Sequence, residues 1–467
     1  MVVRKVAALC AIGLLLSQSA VAQVAVIATR GAPSRTVTVA ADTSSSGITI
    51  PTNFVGVSVE VQDFVVKGYF QGTSGTWNGN ASASSFIGLL GLLGTNGVFR
   101  IGGSTSDAAS APALTQQMAT NLQTFLTALG GGWTPIYGLD LKANDSATAT
   151  TQVGYLTTTF GTSGVVFQMG NEPVSSGNFT IGTYQTAWNA YYAAITASVA
   201  AARFSAWDEF NWGNAQTAIN GLTPGVAGLQ NVSYHWYNIN GSVPNTSFLL
   251  NSIANFKTSF NSNTAWAGSV KQRLSETNSI NLGGQNIFSN TLMSAAWYLN
   301  QAIILSQLGY AGLNEHMFFT GESSTTQGYY NPMLQQPDQN FAPGAIFYGM
   351  YLFSRIQGQQ IINSAVSGNA YIAAITTLRT AGKANMIVAN NDQFDTIAVV
   401  PQQSAAWSTA TVLRVASPSG TGCIEPSPTL GGQAIGESGA WSGSTFSISN
   451  GQAVVLGPCE SALVQIQ

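Results

Sequence analysis

Two glutamates close short polar segments at the ends of apolar runs: Glu172 in Phe-Gln-Met-Gly-Asn-Glu-Pro (167–173) and Glu276 in Arg-Leu-Ser-Glu-Thr-Asn-Ser (273–279). Only 18 of 467 residues are acidic, so a carboxylate at a strand end is not mere solubilising decoration. A pair of carboxylates is what retaining cleavage of a glycosidic bond requires: one protonates the leaving oxygen, the other attacks the anomeric carbon. Asn171, next to Glu172, suits a sugar 2-hydroxyl, whose hydrogen bond strengthens in the transition state. The two histidines, His235 and His316, offer no zinc-ligand spacing. Neither a metal nor a cofactor is expected.

The elements that must hold these side chains alternate from about residue 54. Short β-branched or aromatic runs predict strands at Val55–Val61, Gly97–Ile101, Thr134–Leu141, Gly164–Met169, Arg203–Phe210, Val232–Tyr237, Val270–Glu276 and His316–Gly321. Helices are expected between them at Ser84–Leu93, Thr115–Leu129, Thr151–Phe160, Tyr184–Ala201, Phe248–Ser259 and Thr291–Leu308, with a last one at Ala345–Ile356. After the fifth strand, Gly221-Leu222-Thr223-Pro224-Gly225 breaks any long helix. Eight such alternations predict an α/β chain built on a (β/α)8 TIM barrel over residues 51–358. No Gly-x-Gly-x-x-Gly turn favours a dinucleotide-binding open sheet. Residues 359–467 carry short strands separated by Gly, Ser, Asn and Pro, which predicts a C-terminal β-sandwich. The Thr/Val alternation of Arg35–Ala40 assigns the N-terminal segment 23–50 to that sandwich as an added strand. Glu172 then ends the fourth barrel strand and Glu276 the seventh, nearly opposite across the mouth where barrel active sites lie.

Charged residues are 7% of the chain, with 15 Lys+Arg against 18 Asp+Glu. This balance argues against nucleic acid, since phosphate binding needs a basic surface. Arg4 and Lys5, the apolar run Val6–Leu16 and Ala20-Val21-Ala22 read as a secretory signal peptide over residues 1–22, too short to span a bilayer. A secreted protein without a membrane anchor is expected. Cys10 leaves with the signal, so Cys423 and Cys459 are expected to form one disulfide. Sequons at Asn80, Asn144, Asn178, Asn231, Asn240 and Asn245 imply glycans only in a eukaryotic host.

The chain resembles glycoside hydrolase family 79, the group of microbial β-glucuronidases and animal heparanase. The resemblance rests on Arg100-Ile101-Gly102-Gly103, Gly138-Leu139-Asp140-Leu141, Gly170-Asn171-Glu172-Pro173, His235-Trp236-Tyr237 and Glu276-Thr277-Asn278-Ser279, which span the barrel in the family's order. It implies Glu172 as acid/base, Glu276 as nucleophile and Tyr237 as the hydroxyl contacting that nucleophile. It further implies Glu60 as a partner of sugar hydroxyls. Tyr330, or the adjacent Tyr329, matches a tyrosine that contacts a uronate carboxylate, and Gly283-Gly284 a turn whose amides bind the same group. Asn281-Leu282 depart from the family pattern just before that turn.

Glu322 also follows a predicted strand, but lacks the Thr-Asn-Ser companion of Glu276. Asp208 and Glu209 either line the cleft or cap their strand, with the cap preferred, and His235 reads as a packed histidine. Few basic residues stand close to the barrel motifs, Lys142, Lys271 and Arg273 among them, too few for a long sulfated polymer. The expectation is a monomeric, secreted, retaining exo-β-glucuronidase acting on a carbohydrate with a terminal β-glucuronic acid, with or without a 4-O-methyl group. The alternatives are a retaining barrel glycosidase of a neutral sugar and a non-catalytic secreted carbohydrate-binding protein.

Overall fold

The computed structural model describes residues 32–65, 81–108, 113–210, 212–239, 260, 265–319, 328–338, 340–368, 371–379 and 382–467. The signal segment 1–22, the helix expected at 248–259, Glu322 and the sequons at Asn80, Asn240 and Asn245 lie outside them. Strand β1 (Arg35–Ala41) precedes eight parallel strands: β2 (Val55–Glu60), β3 (Asn96–Gly102), β4 (Gly132–Leu139), β5 (Val166–Met169), β6 (Ser205–Glu209), β7 (Asn231–Ile239), β8 (Gln272–Ile280) and β9 (Gly312–Met317). Their order is β5-β4-β3-β2-β9-β8-β7-β6. A parallel bridge between Phe167 and Phe204 joins the two ends and closes a barrel. Every residue of β2, β6, β8 and β9 is buried, as expected where helices cover one face of a strand and the barrel interior the other.

The eighth barrel strand begins at Gly312, four residues earlier than the apolar run at 316 implied. Asn314, Glu315 and His316 hide its pattern: Asn314 and His316 turn into the barrel, onto Arg273 and Ser58, while Glu315 turns to the helix side. The helix after β6 is reduced to Ala215–Asn220, in keeping with the Gly/Pro break at 221–225. The helix Leu292–Gln307 is buried around nearly its whole circumference. It packs against helix Ala345–Ser354, where a Cβ on Gly349 would lie 2.4 Å from the Ala295 carbonyl oxygen. Glycine there permits the close approach.

Beyond the barrel, β10 (Met333–Gln335) and β11 (Phe341–Pro343) form a hairpin, and two antiparallel-rich sheets then pack as a sandwich. Strand β1 lies parallel to Ile397–Gln403 and antiparallel to Ser364–Ser367, so the N-terminal segment completes the C-terminal sandwich. Val37, Val39, Met386, Val388, Val399 and Val464 fill its core. Asn300 and Asn391 exchange side-chain hydrogen bonds of 2.8 and 2.9 Å, and the Leu292 amide donates to the Glu425 carbonyl at 2.7 Å. These contacts fasten the sandwich to the helix behind β8 and β9. Cys423 and Cys459 are disulfide-bonded, with Cα atoms 4.9 Å apart. Among the described residues, no helix is long and apolar enough to cross a membrane.

Candidate active site

Arg100, on β3, is fully buried and organises the mouth of the barrel. Its Nε donates to Gln168 Oε1 at 2.8 Å, and its Nη1 to Ser58 Oγ at 2.9 Å and Glu276 Oε2 at 2.8 Å. Its Nη2 donates to Asn171 Oδ1 at 2.9 Å and Asp208 Oδ2 at 2.7 Å. One guanidinium thus ties strands β2, β3, β5, β6 and β8 together through charge-assisted hydrogen bonds. The glycines of the Arg-Ile-Gly-Gly box make room for it. A Cβ on Gly102 would lie 2.7 Å from Arg100 Cζ, and one on Gly103 would lie 2.4 Å from the Glu60 carboxylate. Asn171 spends its Oδ1 on Arg100, which leaves its amide N–H bonds for a ligand.

Glu276 is held at both oxygens: Tyr237 donates its hydroxyl to Oε1 at 2.7 Å, opposite the Arg100 bond to Oε2. Burial opposes its charge. The neighbouring His316, His235 and Arg100 charges and the Tyr237 bond outweigh that, and hold the carboxyl well below its ordinary range. His235 lies between Glu172 and Asp208, with Nδ1 2.7 Å from Glu172 Oε1 and Nε2 3.0 Å from Asp208 Oδ1. Burial works against its charge too, but the Glu276 and Asp208 carboxylates and its two hydrogen bonds raise it well above an ordinary histidine. Both ring nitrogens of His235 thus face carboxylate oxygens, an arrangement that favours its charged form.

Glu172 is the most exposed member, with 25% of its side chain open against 9% for Glu276. Its backbone has φ 49° and its amide donates to the Asp208 carbonyl at 2.9 Å. Asp208 also has a positive φ, 61°. Two such non-glycine residues in contact store backbone strain, a pattern that clusters at functional sites. Glu209 receives the Val174 amide at 2.5 Å and the Ser175 amide at 2.7 Å, anchoring the loop that follows Glu172. Asp107 receives the Asn171 amide at 3.0 Å, and burial pushes its carboxyl up to about 6.

An oxygen of Glu172, a nitrogen of His235 and an oxygen of Glu276 all lie within 4.8 Å of one another. The spacing resembles a metal site, but the chemistry differs. Both His235 nitrogens are already taken by the Glu172 and Asp208 carboxylates, and Glu276 is already bound by a guanidinium and a phenol.

The predicted residues are gathered unevenly. Glu60 is buried beside the site, but its Oε2 is taken by the Thr105 amide and hydroxyl at 2.9 and 2.5 Å, and His316 Nε2 lies 3.5 Å from Oε1. The structure thus gives Glu60 protein partners for both oxygens. Tyr330, rather than the half-buried Tyr329, packs against Tyr237, with ring centroids 6.4 Å apart. Gly283 and Gly284 form a left-handed turn at φ 88° and 80°, and Gly283 accepts the Tyr330 amide at 3.2 Å. Of the two roles expected for Asp208, the strand cap fails: its side chain turns inward between Arg100, His235 and Ser275, whose Oγ donates at 2.5 Å. The reason is register. Pairing slips by one residue at Asp208 on β6 and at Ser275 on β8, which breaks the in/out alternation and brings both residues to the interior. The scarce signal for Arg100 was a lone charge inside the apolar run Val98–Ile101.

No protein-family model and no curated protein matches this chain. Solved structures do. A 4-O-α-L-rhamnosyl-β-D-glucuronidase from Fusarium oxysporum superposes with a TM-score of 0.72 at 19% identity, over 91% of this chain and all of that one. The fold is one that glycoside hydrolases share. A family 51 arabinofuranosidase from Xanthomonas axonopodis gives 0.67 at 12% identity over 92% of this chain, and a β-xylosidase from Caulobacter crescentus 0.62 at 10%. The barrel with its sandwich is thus common to enzymes named for quite different sugars.

Proposed function

We propose that this chain is a secreted, retaining exo-β-glucuronidase that acts as a monomer on glycans ending in β-glucuronic acid. The observation that carries the reading is the pair of carboxylates at one barrel mouth with unlike surroundings. Oxygens within 4.8 Å suit the short carboxylate spacing of retaining enzymes, about 5–5.5 Å, rather than the wider gap that admits a water in inverting ones. Glu276, kept ionised by Arg100, His316 and His235, attacks C1 of the sugar. Glu172, open to solvent, gives its proton to the leaving glycosidic oxygen. A water then enters, Glu172 takes its proton, and the hydroxide attacks C1 while the bond to Glu276 Oε breaks. Asn171 donates to the 2-hydroxyl.

Uronate selectivity is assigned to Tyr330 and the Gly283-Gly284 turn, with neutral donors meeting a single carboxylate. Support comes from the resemblance to family 79 and the likeness to the Fusarium glucuronidase. A neutral-sugar glycosidase is the second reading, favoured by the arabinofuranosidase and xylosidase neighbours. Rates on an aryl β-glucuronide, the matching glucoside and a heparan-type polymer separate these. Faster glucoside hydrolysis, or cleavage inside the polymer, rejects the proposal. Mechanism-based labelling should mark Glu276 and fail in Glu276→Gln, whereas a non-catalytic binding protein would take no label.

A further inference from the structure

At the opposite end of the barrel from the carboxylates, the N-terminal ends of the strands enclose a cavity of about 290 Å³. Arg203, Lys271 and Arg273 line it, three of only 15 basic residues in the chain, and no acidic side chain does. Among the described residues, none of the three pairs with a carboxylate. Val98, Ile136 and Val166 form a small apolar cluster of their own on the wall of this cavity, one strand step below Arg100 and Gln168.

The three cations divide the work. Arg273 is buried and spends all its N–H groups on neutral oxygens: Asn314 Oδ1 at 2.6 Å and the carbonyls of Asn53, Phe54 and Ala311. It therefore contributes a fixed positive field without a counter-charge, in a setting where burying an unpaired charge is costly. Arg203 is half-buried and gives Nη1 to the Ser163 carbonyl, and Lys271 stands exposed at the rim. Both retain donors to offer. We propose that this cavity binds an oxyanion, a sulfate, phosphate or carboxylate group, contacted by Arg203 and Lys271 and held in the field of Arg273. Its volume, near the lower end for ligand pockets, fits a free inorganic anion or a single sugar acid, and excludes a polymer. The proposal is independent of the activity assigned to the other end of the barrel.

Calorimetric titration of the full chain tests it, with sodium sulfate, sodium glucuronate and glucose at ionic strength held constant with sodium chloride. Saturable one-to-one binding of sulfate is expected, and none of glucose; glucuronate, which the active site also takes under the proposed function, is read by its competition with sulfate. Sulfate that glucuronate does not displace identifies a free inorganic ligand; displacement by glucuronate identifies a sugar acid. Arg203→Gln and Lys271→Gln should each weaken binding about tenfold, the loss of one charge-assisted hydrogen bond. The charge-keeping Arg203→Lys/Lys271→Arg pair should retain it, and hydrolysis of an aryl glycoside should be unchanged in all. Absence of saturable sulfate binding, or sulfate binding that survives unaltered in the double glutamine variant, overturns the proposal.

Discussion

At the scale of single residues, the site is a buried charge network whose members set one another's protonation. Tyr237 donates to Glu276 at 2.7 Å and helps to keep that carboxyl low. Tyr237→Phe should raise it, so the acid limb of kcat/KM moves toward neutral pH and activity falls by about 10- to 100-fold, as for a hydrogen bond to a charged group. A pH–rate profile on an aryl glucuronide reads this; an unmoved acid limb contradicts it. Asp208 supports the charge on His235. A histidine raised on folding contributes stability that is complete below its unfolded value and is lost as pH rises through its folded one. Asp208→Asn should therefore bring the loss to lower pH, visible as a lowered His235 midpoint in an NMR titration. It should also cost about 3–5 kcal/mol in denaturant unfolding, as one partner of a buried ion network is removed.

At the scale of elements, β9 and the helix behind it hold a conflict. Glu315 faces that helix fully buried, and neither carboxylate oxygen has a hydrogen-bond partner. Burial pushes its carboxyl well above the ordinary range. The sign follows: a raised group favours the fold below its unfolded value, and the advantage is lost as pH rises toward its folded one. Glu315→Gln keeps the shape and removes the titration. The variant should be more stable than the native chain at about pH 8 and lose that gain near pH 4–5, checked by melting midpoints across pH. Glu315 gives the reason β9 starts four residues before the expected position: its polar run has no apolar period, and its burial depends on a helix that comes before it in the chain. The strands with apolar alternation, such as β3 and β4, were legible within a residue or two.

At the scale of the molecule, the sandwich is joined to the barrel near the disulfide. Glu425, two residues from Cys423, caps the helix Leu292–Gln307 through its carbonyl. Reduction opens a loop whose ends are 36 residues apart. It should lower stability by about 2–4 kcal/mol and drop the melting midpoint, measured by calorimetry with and without reductant. An unchanged midpoint would mean the sandwich holds that loop by packing alone.

Residue order alone determined the barrel, the appended sandwich and the place of Glu172 and Glu276, because periodicity and turn residues act over a few positions. The alliance of Arg100, Asp208 and His235 was decided only by the tertiary structure. Those residues come from three strands, and a one-residue slip in pairing turns Asp208 inward against the alternation its own strand suggests. Register is set between strands far apart in the chain, and a charge placed by it becomes meaningful only when its partners arrive.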